Sequence, residues 1–523
     1  MFTPQQLEKI PIGLEKIFSK LEQDIMIDII RRIAINGEVT RTADYQLTRL
    51  YQLGVSKKVI RKYIQEALDL SKKEINSIYR NAIKSGYAED EALYKVVGKS
   101  FIKFEDNEEL QQLIRAVKEQ TNNDLYNITQ STGFMTKEGF KPIAKYYQDT
   151  LDNSVMNILN GSFDYNTVIR NAVQEMTKSG LRTIDYKSGR SYRIDTAVRI
   201  ALITGVNQVT SKISDENGKK LETNYFEVSA HGTARPSHQK WQGKVYTREE
   251  LESICGLGQV DGLCGSNCRH SYSPFIPGIS VRNYTDEQLE EWAKRENTPR
   301  KYGDKEYTLY EASQEQRKLE RLMRKQRQDI KLLKAGNANE EDIITAQARY
   351  RITSDEYAKF SKAMGLPEQR ARVYQDGNKE IRSKDSYETI ENRAKLYYNG
   401  DIQAYLKDET IRKNIRDNAN KMLLIDKQAE HIKDSSKYKQ GKSYLSISSE
   451  EIQDIVNRFS GTGKIERTIN GDFANKERIV LDKAVGVSIN NKTGVETETR
   501  IIKIHYRKTG VHIVPTMEGS EKL

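Results

Sequence analysis

Apolar residues in the first 160 positions recur every three or four residues, which predicts a succession of amphipathic helices. The clearest stripe begins at Leu14 and ends at Ile33, and we expect Asn36-Gly37 to terminate that helix. Ser71 and Glu74 have the spacing of a capping box, so another helix should begin there. Stripes of this kind are typical of core packing, and residues 1–160 are predicted to be a helical region without visible chemistry.

The pattern becomes mixed between residues 161 and 310. Asp195 precedes a long helical run, and the segment NYFEVSA at 224–230 has the character of a short strand. From Tyr246 to Pro277 the chain is rich in glycine, cysteine and proline, so it should be irregular. We therefore predict an irregular α+β module over residues 161–310.

Residues 311–335 predict a long and very basic helix with a narrow apolar stripe, which suits an antiparallel helical partner. The stripe consists of Leu319, Leu322, Met323, Ile330 and Leu333. Gly336-Asn337 should break this helix, and a second helix should follow from Glu340. The prediction for residues 311–377 is a long basic helical hairpin.

The last 146 residues change character once more. Residues 378–424 are charged and helical with few large apolar side chains, and we interpret them as a spacer. Residues 425–523 contain short β-rich runs such as RIVLDKAVGVSI and RIIKIHY, separated by glycine-containing turns. The fold class is therefore multidomain, predominantly α-helical in its N-terminal and middle parts, with a small α+β domain at the C-terminus.

Composition narrows the class of protein. A chain of 523 residues is too long for one core. The net charge of +11 favours an acidic partner such as nucleic acid, although a solvated surface rich in lysine explains it equally well. No apolar run approaches the roughly 18 residues of a membrane span, and the first residues do not resemble a signal peptide. Three cysteines cannot all pair within one chain, so reduced thiols or metal ligands are expected.

Histidines and cysteines concentrate in two islands. In the first, His231, His238 and His270 accompany Cys255, Cys264 and Cys268, and thiolates and imidazoles at such spacing can form a zinc site. The candidate metal ligands are Cys255, Cys264, Cys268 and His270, with His231 or His238 able to complete the set. The alternative is a loop-rich module with buried free thiols and with histidines bonded to the backbone.

The second island holds His431, His505 and His512. IHYRKTGVHIV predicts a β-hairpin, and a two- or four-residue loop would place His505 directly opposite His512, with Lys503 on the same face. A three-residue loop with Gly510 in the left-handed conformation would break this register. Imidazoles and a lysine in this arrangement suit metal-free RNA cleavage, because imidazole can serve as both general base and general acid. The alternative is an ordinary hairpin with two half-exposed histidines.

The first island resembles a known family. HGTARPSHQKWQGKVY, NCRHSYSPF and SKAMGLPEQRARVY, together with the N-terminal stretch, resemble phage minor capsid proteins related to MuF-type head morphogenesis proteins over residues 1–377. Many relatives have a second cysteine where this chain has His270. The residues that match the motif, with no catalytic role implied, are His231, Arg235, His238, Trp241, Gln242, Asn267, Cys268, Arg269 and His270.

This resemblance implies a virion component, made in the host bacterial cytoplasm and located in the phage head near the portal. Portal and head proteins are the partners it implies, and residues 1–160 would associate with them. The basic helix at 311–335 could contact packaged DNA, or it could present a solvated face.

Residues 425–518 resemble the polymorphic toxin type 50 domain, a predicted ribonuclease module. The matching stretches include KQAEHI, GKSYLSIS and IHYRKTGVHIVP. The resemblance implies a barnase–EndoU–colicin–RelE-like fold, RNA as substrate, no required cofactor and a possible immunity protein. The family usually continues with Ile-Pro-Gly after its first histidine, whereas His431 is followed by IKDSS. The candidate acid–base residues are His431, His505 and His512, and the candidate phosphate-binding residues are Lys427, Lys442, Lys503 and Arg507.

Three readings follow from these observations. The leading one is a phage minor capsid protein that carries a C-terminal ribonuclease toxin domain. The second is a purely structural minor capsid protein with a catalytically inert C-terminal domain. The third is a zinc-dependent nucleic-acid-binding virion protein centred on Cys255 to His270.

Overall fold

The computed structural model describes residues 3–37, 42–82, 84, 87–88, 90–159, 165–185, 188–375 and 381–517. The chain folds as two compact units. The first comprises Met1–Met156, Ile169–Ala338 and Tyr350–Ile381, and the second comprises Asn157–Val168, Asn339–Arg349 and Arg382–Leu523. The three segments predicted before residue 377 therefore contribute mainly to one unit.

Helices dominate the first two-thirds of the chain. Their bounds are Pro4–Lys9, Ile12–Gly37, Thr42–Ser77, Glu91–Val96, Glu108–Gln130, Ile143–Leu159, Tyr165–Ser179, Ile194–Lys220, Pro236–Gln239, Arg248–Ser253, Asp286–Asn297, Leu309–Ala335, Glu340–Met364 and Arg370–Val373. The stripe predicted from Leu14 to Ile33 is buried along the helix Ile12–Gly37, which ends at the predicted Asn-Gly pair. Among the described residues, no helix has the length and apolar character that crossing a bilayer requires.

The capping box predicted at Ser71 is wrong. Ser71 and Glu74 lie inside the helix Thr42–Ser77, six and three residues before its end. The Ser71 hydroxyl donates a hydrogen bond of 2.9 Å to the carbonyl of Leu68, one turn back in the same helix. A serine in a helix interior can satisfy its hydroxyl in this way, so the local signal for a start was overridden by the continuing helix.

Strands of the first unit form small antiparallel sheets. The first sheet has the order β2-β1-β3-β4, from Thr132–Thr136 (β1), Gly139–Pro142 (β2), Arg182–Ile184 (β3) and Ser191–Arg193 (β4). The second sheet has the order β6-β5-β7, from Tyr225–Val228 (β5), Val245–Thr247 (β6) and Tyr272–Phe275 (β7). Arg300–Tyr302 (β8) and Lys305–Tyr307 (β9) form a hairpin. The predicted strand at 224–230 and the helix after Asp195 are thus both present, and Ser214 of that helix donates a hydrogen bond to the carbonyl of Tyr272 in β7.

The basic helix Leu309–Ala335 is followed by the helix Glu340–Met364, as predicted. Asn337 adopts a left-handed conformation, with φ of 46°, where the two helices join. Part of its charge faces inward: Arg327 is only 1% exposed, with its guanidinium 4.9 Å from the ring centre of Tyr374. The basic surface expected along this helix is therefore interrupted, because Arg327 is buried and its guanidinium packs against an aromatic ring.

The second unit is a small α+β structure. Its later helices are Lys384–Tyr398, Ile402–Lys407, Glu409–Asn418, Ile425–Ala429 and Ser449–Phe459. Its strands are Tyr444–Leu445 (β10), Lys464–Arg467 (β11), Phe473–Val480 (β12), Gly486–Ile489 (β13), Glu496–Thr499 (β14), Ile501–Arg507 (β15) and Gly510–Thr516 (β16). They form two antiparallel sheets of order β11-β12-β15-β16 and β10-β13-β14. Ile452, Ile479, Ile502, Ile504 and Ile513 are fully buried in its core.

Of residues 378–424, interpreted as a spacer, those from Arg382 onwards belong to this unit. The backbone N–H groups of Ile465 and Val480 donate hydrogen bonds to the hydroxyls of Tyr398 and Tyr397 at 3.3 and 3.2 Å. Arg412 is fully buried and pairs with Glu409 at 3.1 Å. Few large apolar residues are present because tyrosines and paired charges do the packing, and the low apolar content was therefore misleading.

Candidate functional site

The C-terminal hairpin brings His505 and His512 face to face. In the β15–β16 pairing His505 is opposite His512 and Arg507 is opposite Gly510, so the turn has two residues, Lys508 and Thr509. The ring centres of the two histidines are 4.7 Å apart. The register predicted for a two-residue loop is confirmed. Ile502 and Ile504 point to the buried core, so the histidines occupy the opposite face of β15.

His431 completes a histidine triad, defined here as His431, His505 and His512. The ring of His431 lies nearly parallel to that of His512, at 18° and with centres 6.1 Å apart. Its Nδ1 lies 2.8 Å from the carbonyl oxygen of Ser443. Because a carbonyl oxygen only accepts, Nδ1 must carry the proton, and Nε2 of neutral His431 is the free basic nitrogen.

Backbone and amide hydrogen bonds attach the His431 segment to the hairpin. The side chain of Gln428 donates to the carbonyl of Ile513 at 3.0 Å and accepts from the N–H of Ile513 at 2.8 Å. The N–H of Leu424 donates to the carbonyl of Val511 at 2.8 Å. These contacts hold the helix Ile425–Ala429 against the hairpin, and they fix the position of His431 relative to His512.

The triad is neutral at neutral pH. Burial, together with the neighbouring His512, lowers the pKa of His505 to about 3. Burial and the nearby His431, Arg507 and Lys427 lower the pKa of His512 to about 4. Burial also lowers the pKa of His431, although its hydrogen bond to Ser443 acts in the opposite direction. His512 is only 7% exposed, and its Nδ1 has no hydrogen-bond partner among the described residues.

The predicted phosphate-binding residues lie around the triad in three settings. Lys427 and Lys442 both pair with Glu430, at 3.4 and 2.7 Å. Lys503 is held by Glu466 at 3.0 Å. Arg507 is exposed at the end of β15, on the same face as His505.

Sequence reasoning missed two charged residues of this site. Glu430 is shared by three lysines, which lower its pKa to about 2. Lys476 is opposite His505 in the β12–β15 pairing, and its charge contributes to the low pKa of that histidine. Glu430 could have been noticed as the acidic neighbour of His431 in KQAEHI, whereas Lys476 depends on a pairing between distant strands that no local signal gives.

The first island also assembles, with a different membership from the predicted one. His238, Cys268 and His270 bring potential ligand atoms within 4.8 Å of one another, and all three residues are buried. We call them the His/Cys cluster. Trp241 packs against two of its members, with ring centres 4.6 Å from His238 and 4.9 Å from His270.

The other two predicted cysteine ligands lie apart from this cluster. Cys255 packs in an apolar core with Phe226, Trp241 and Leu251. The thiol of Cys264 lies 3.7 Å from the carbonyl oxygen of His270, and its sulfur is not in the metal-capable group. Burial raises the pKa of both thiols to about 12. Spacing along the chain suggested all three cysteines, but the path of the loop brings only Cys268 to the histidines.

The remaining motif residues support the cluster. Gln242 accepts from the backbone N–H of His231 at 3.1 Å and contacts Nε2 of His270 at 3.0 Å. The ring of His231 stacks on His270 with centres 4.4 Å apart, and burial lowers the pKa of His231 to about 4. Arg235 donates to the carbonyl of Ser266 at 2.9 Å.

Two motif residues lie in the loop itself. Asn267 is exposed with φ of 56°, a left-handed conformation that asparagine tolerates. Arg269 pairs with Glu8 at 3.0 Å, and its burial lowers its pKa to about 10. The motif therefore builds a buried polar core under an irregular loop.

Comparisons with known proteins match the two parts of the chain in which these clusters lie. Residues 2–360 match the family model of Phage minor capsid protein 2, and residues 423–515 match that of Bacterial toxin 50. The chain is similar to a structural protein of Lactococcus phage LL-H, with 20% identity over 295 residues that cover 50% of this chain and 79% of the relative. No solved structure matches the chain. Both resemblances are thus confirmed at the level of the family: the chain belongs to the Phage minor capsid protein 2 family and carries a Bacterial toxin 50 domain at its C-terminus.

Proposed function

We propose that this protein is a virion component whose C-terminal domain is a ribonuclease that uses histidine acid–base chemistry. The observation that carries the proposal is the histidine triad, in which the ring centre of His512 lies 4.7 Å from that of His505 and 6.1 Å from that of His431. Imidazole can accept or donate a proton near neutral pH, so such a cluster can supply both the general base and the general acid that cleavage at a ribose 2′-hydroxyl requires.

Neutral His512 is the proposed general base. Burial, Arg507 and Lys427 disfavour a positive charge on its ring, so it is available to accept a proton at neutral pH. It takes the proton of the ribose 2′-hydroxyl as the 2′-oxygen attacks the adjacent phosphorus. The bond from phosphorus to the 5′-oxygen then breaks, which leaves a 2′,3′-cyclic phosphate on one product.

His431 is the proposed general acid. Its Nδ1–H already donates to the carbonyl of Ser443 at 2.8 Å, which favours the imidazolium form. An RNA phosphate bound beside the His431 ring would add a negative charge, and this charge would raise the proton affinity of the imidazole. Protonated His431 then gives the Nε2 proton to the leaving 5′-oxygen.

Cations around the triad are the proposed phosphate contacts. Arg507 is exposed on the face of the hairpin that carries His505. Lys427 and Lys442 both pair with Glu430, which directly precedes His431 of the triad. Positive charge at these positions would stabilise the negative charge that develops on the phosphoryl oxygens. Lys503 has the weakest claim among the predicted residues, because Glu466 neutralises it at 3.0 Å.

The experiment uses the full-length chain, total RNA and an excess of EDTA. The native protein should cleave RNA and leave 2′,3′-cyclic phosphate ends, and His512→Ala should lose this activity. Lys508→Ala, at the exposed tip of the same hairpin, is the matched control and should stay active. An inactive native protein whose unfolding remains cooperative supports the purely structural alternative. Cleavage only after addition of a divalent cation contradicts the histidine mechanism.

The N-terminal part of the proposal is a place in the phage head, with portal and head proteins as partners. Family membership over residues 2–360 and similarity to a phage structural protein support it. Mass spectrometry of purified phage particles tests it. Peptides from both residues 2–360 and residues 423–515 should be present in particles and should resist removal by washing in high salt. Peptides from the first region alone would mean that the toxin domain is removed before the particle is complete.

The proposal also includes two further partners. A phage that makes a ribonuclease needs a way to restrain it while heads assemble, and an immunity protein that covers the triad would do so. Packaged DNA is a proposed contact of the exposed basic residues of the helix Leu309–Ala335. Such contacts would weaken steeply with salt.

A further inference from the structure

The His/Cys cluster contains an unusual convergence of ring nitrogens. Nδ1 of His238 lies 3.4 Å from Nδ1 of His270, and Sγ of Cys268 lies 3.5 Å from the same nitrogen of His270. All three residues are at most 2% exposed, so water cannot readily separate these atoms. Whether this contact is favourable depends on which atoms carry protons.

Hydrogen bonds on the far side of each ring assign the protons. Oε1 of Gln242 accepts the backbone N–H of His231, which fixes the orientation of this amide. The same oxygen lies 3.0 Å from Nε2 of His270, so Nε2 must be the protonated nitrogen. Nε2 of His238 lies 2.8 Å from the carbonyl oxygen of Asp261 and must be protonated for the same reason.

Two lone pairs therefore face each other across the cluster. With Nε2 protonated in both neutral rings, the Nδ1 atoms of His238 and His270 are both acceptors. The thiol proton of Cys268 can serve only one of them. Sγ itself accepts the backbone N–H of His270 at 3.4 Å, which orients a sulfur lone pair within the cluster. The lone pairs of the two Nδ1 atoms and of Sγ are all satisfied only when a cation lies between these three atoms.

We propose that Nδ1 of His238, Nδ1 of His270 and Sγ of Cys268 bind a divalent transition-metal cation of the zinc class. Two imidazoles and one thiolate form a ligand set typical of zinc. The protons on the opposite nitrogens are held by Asp261 and Gln242, which is how metal-binding histidines are usually oriented. Three protein ligands leave one coordination position for water or another ligand.

This assignment differs from the set predicted by spacing, and that difference supplies the test. Cys255 and Cys268 are equally buried, at 2% exposure, but only Cys268 belongs to the cluster. Full-length protein and its variants would be expressed with zinc, freed of loosely bound metal and measured by elemental analysis. The native chain and Cys255→Ala should each retain about one zinc ion per chain, whereas Cys268→Ser and His238→Gln should retain less than about a tenth of that amount.

Cobalt replacement adds a readout that does not depend on full occupancy. The native chain loaded with Co²⁺ should show a thiolate-to-cobalt absorption band, and Cys268→Ser should remove this band while Cys255→Ala keeps it. A folded native protein that binds neither zinc nor cobalt overturns the proposal. Equal metal content in the native chain and Cys268→Ser overturns it as well, because the metal would then lie elsewhere.

A second inference rests on the arginines of a cavity of about 410 Å³ in the first unit, which His238, Cys268 and His270 of the His/Cys cluster also help to line. Seven arginines and three carboxylates line it. Each of these carboxylates pairs with one arginine of the lining: Glu15 with Arg199 at 2.7 Å, Asp195 with Arg324 at 3.0 Å, and Glu320 with Arg372 at 3.6 Å. The remaining four arginines therefore give this cavity an excess of positive charge.

Little other negative charge compensates this excess. Glu8, which lines a neighbouring cavity, pairs with Arg372 and with Arg269, the latter at 3.0 Å, and lies 3.9 Å from Arg317. Burial together with neighbouring arginines lowers the pKa of both Arg317 and Arg321. Guanidinium groups packed so closely repel one another, and an anion with several charges would relieve the repulsion.

We infer that this cavity binds a phosphate-bearing anion. Arginine forks match phosphate oxygens in pairs, and the volume lies within the range of small-ligand sites, roughly 300–1,000 Å³. The excess of about three to four charges favours a diphosphate, triphosphate or terminal phosphate over a single carboxylate. A free nucleotide and the phosphorylated end of a nucleic-acid strand both supply this chemistry.

Titration calorimetry with the full-length chain and pyrophosphate tests this inference. Pyrophosphate should bind the native chain, and Arg317→Gln with Arg321→Gln should weaken binding about tenfold or more. Arg295→Gln, on an exposed helix face, is the matched control and should bind as the native chain does. Oligonucleotides with a 5′-phosphate or a 5′-hydroxyl, compared with ATP, separate the two sources. Absence of pyrophosphate binding, or equal binding by the double variant, overturns the inference.

Discussion

His505 and His512 lie directly opposite each other on adjacent antiparallel strands, with ring centres 4.7 Å apart. Two imidazoles at this distance cannot both carry a positive charge without strong repulsion. The hairpin thus determines the charge state of the site as well as its geometry. Its acid–base behaviour should respond predictably to pH and to neighbouring charges.

Acid should destabilise the second unit through His512. The pKa of this histidine falls from the ordinary value of 6.5 to about 4 on folding, so between these values the unfolded chain binds more protons than the folded one. The contribution of His512 to the free energy of unfolding is therefore fully present above pH 6.5, and it decreases as the pH falls towards 4. At about pH 5.5 the loss from one such group is about 1 kcal/mol. Hydrogen exchange of β15 and β16 should show this loss, and His512→Gln should show less of it.

Removal of Glu430 should shift the pH dependence of RNA cleavage. This carboxylate favours the protonated forms of both His431 and His512. In Glu430→Gln the acid limb of the activity profile should therefore move to lower pH, because both imidazoles lose their protons more readily. Asp434→Asn, an exposed residue of the same segment, is the matched control and should leave the profile unchanged. An identical profile for native and Glu430→Gln protein would contradict the assignment of the triad.

The buried carboxylate of Glu477 should be important for the stability of the second unit. It accepts hydrogen bonds from the N–H groups of Gly461 and Gly463 and from the hydroxyl of Tyr506, at 2.8, 2.6 and 2.7 Å. Glu477→Leu should destabilise the unit by about 3 kcal/mol or more, because it leaves buried donors without an acceptor. Tyr506→Phe removes one donor and should have a smaller effect, about 1 kcal/mol. Urea unfolding measures both, and a larger effect from Tyr506→Phe would show that the carboxylate is not the centre of this network.

Truncated fragments should show that the folded unit begins before the residues that match the toxin family. A fragment of residues 425–523 lacks Tyr397 and Tyr398, whose hydroxyls accept hydrogen bonds from the sheet. It should unfold at a lower temperature than a fragment of residues 382–523. That longer fragment should in turn be less stable than the unit in the full chain, where Arg393 pairs with Glu341 at 2.6 Å. Equal melting temperatures for the two fragments would support the original interpretation of residues 378–424 as a spacer.

The sequence predicted best where local rules determine the structure. The two-residue turn at Lys508 and Thr509 pairs His505 with His512, which is one of the registers that the loop residues allowed in the sequence. The stripe in the helix Ile12–Gly37 was equally readable, because helical periodicity decides which face is buried.

Predictions failed where distant parts of the chain decide the outcome. The signal at Ser71 was local, but the helix continues through it. Cys255 and Cys268 looked alike in the sequence, and only the path of the loop places one in an apolar core and the other beside His238 and His270. Arg327 counted towards a basic surface although tyrosines bury it. Each of these depends on contacts between residues far apart in sequence.

The protonation of the cysteines has a consequence for a phage protein outside the cell. Burial raises the pKa of the Cys255 and Cys264 thiols to about 12, so almost none of either is present as reactive thiolate at neutral pH. Thiolates are the species that attack disulfides and react first with peroxides. A particle that leaves the reducing cytoplasm would therefore carry these two sulfurs through oxidising surroundings in an unreactive form.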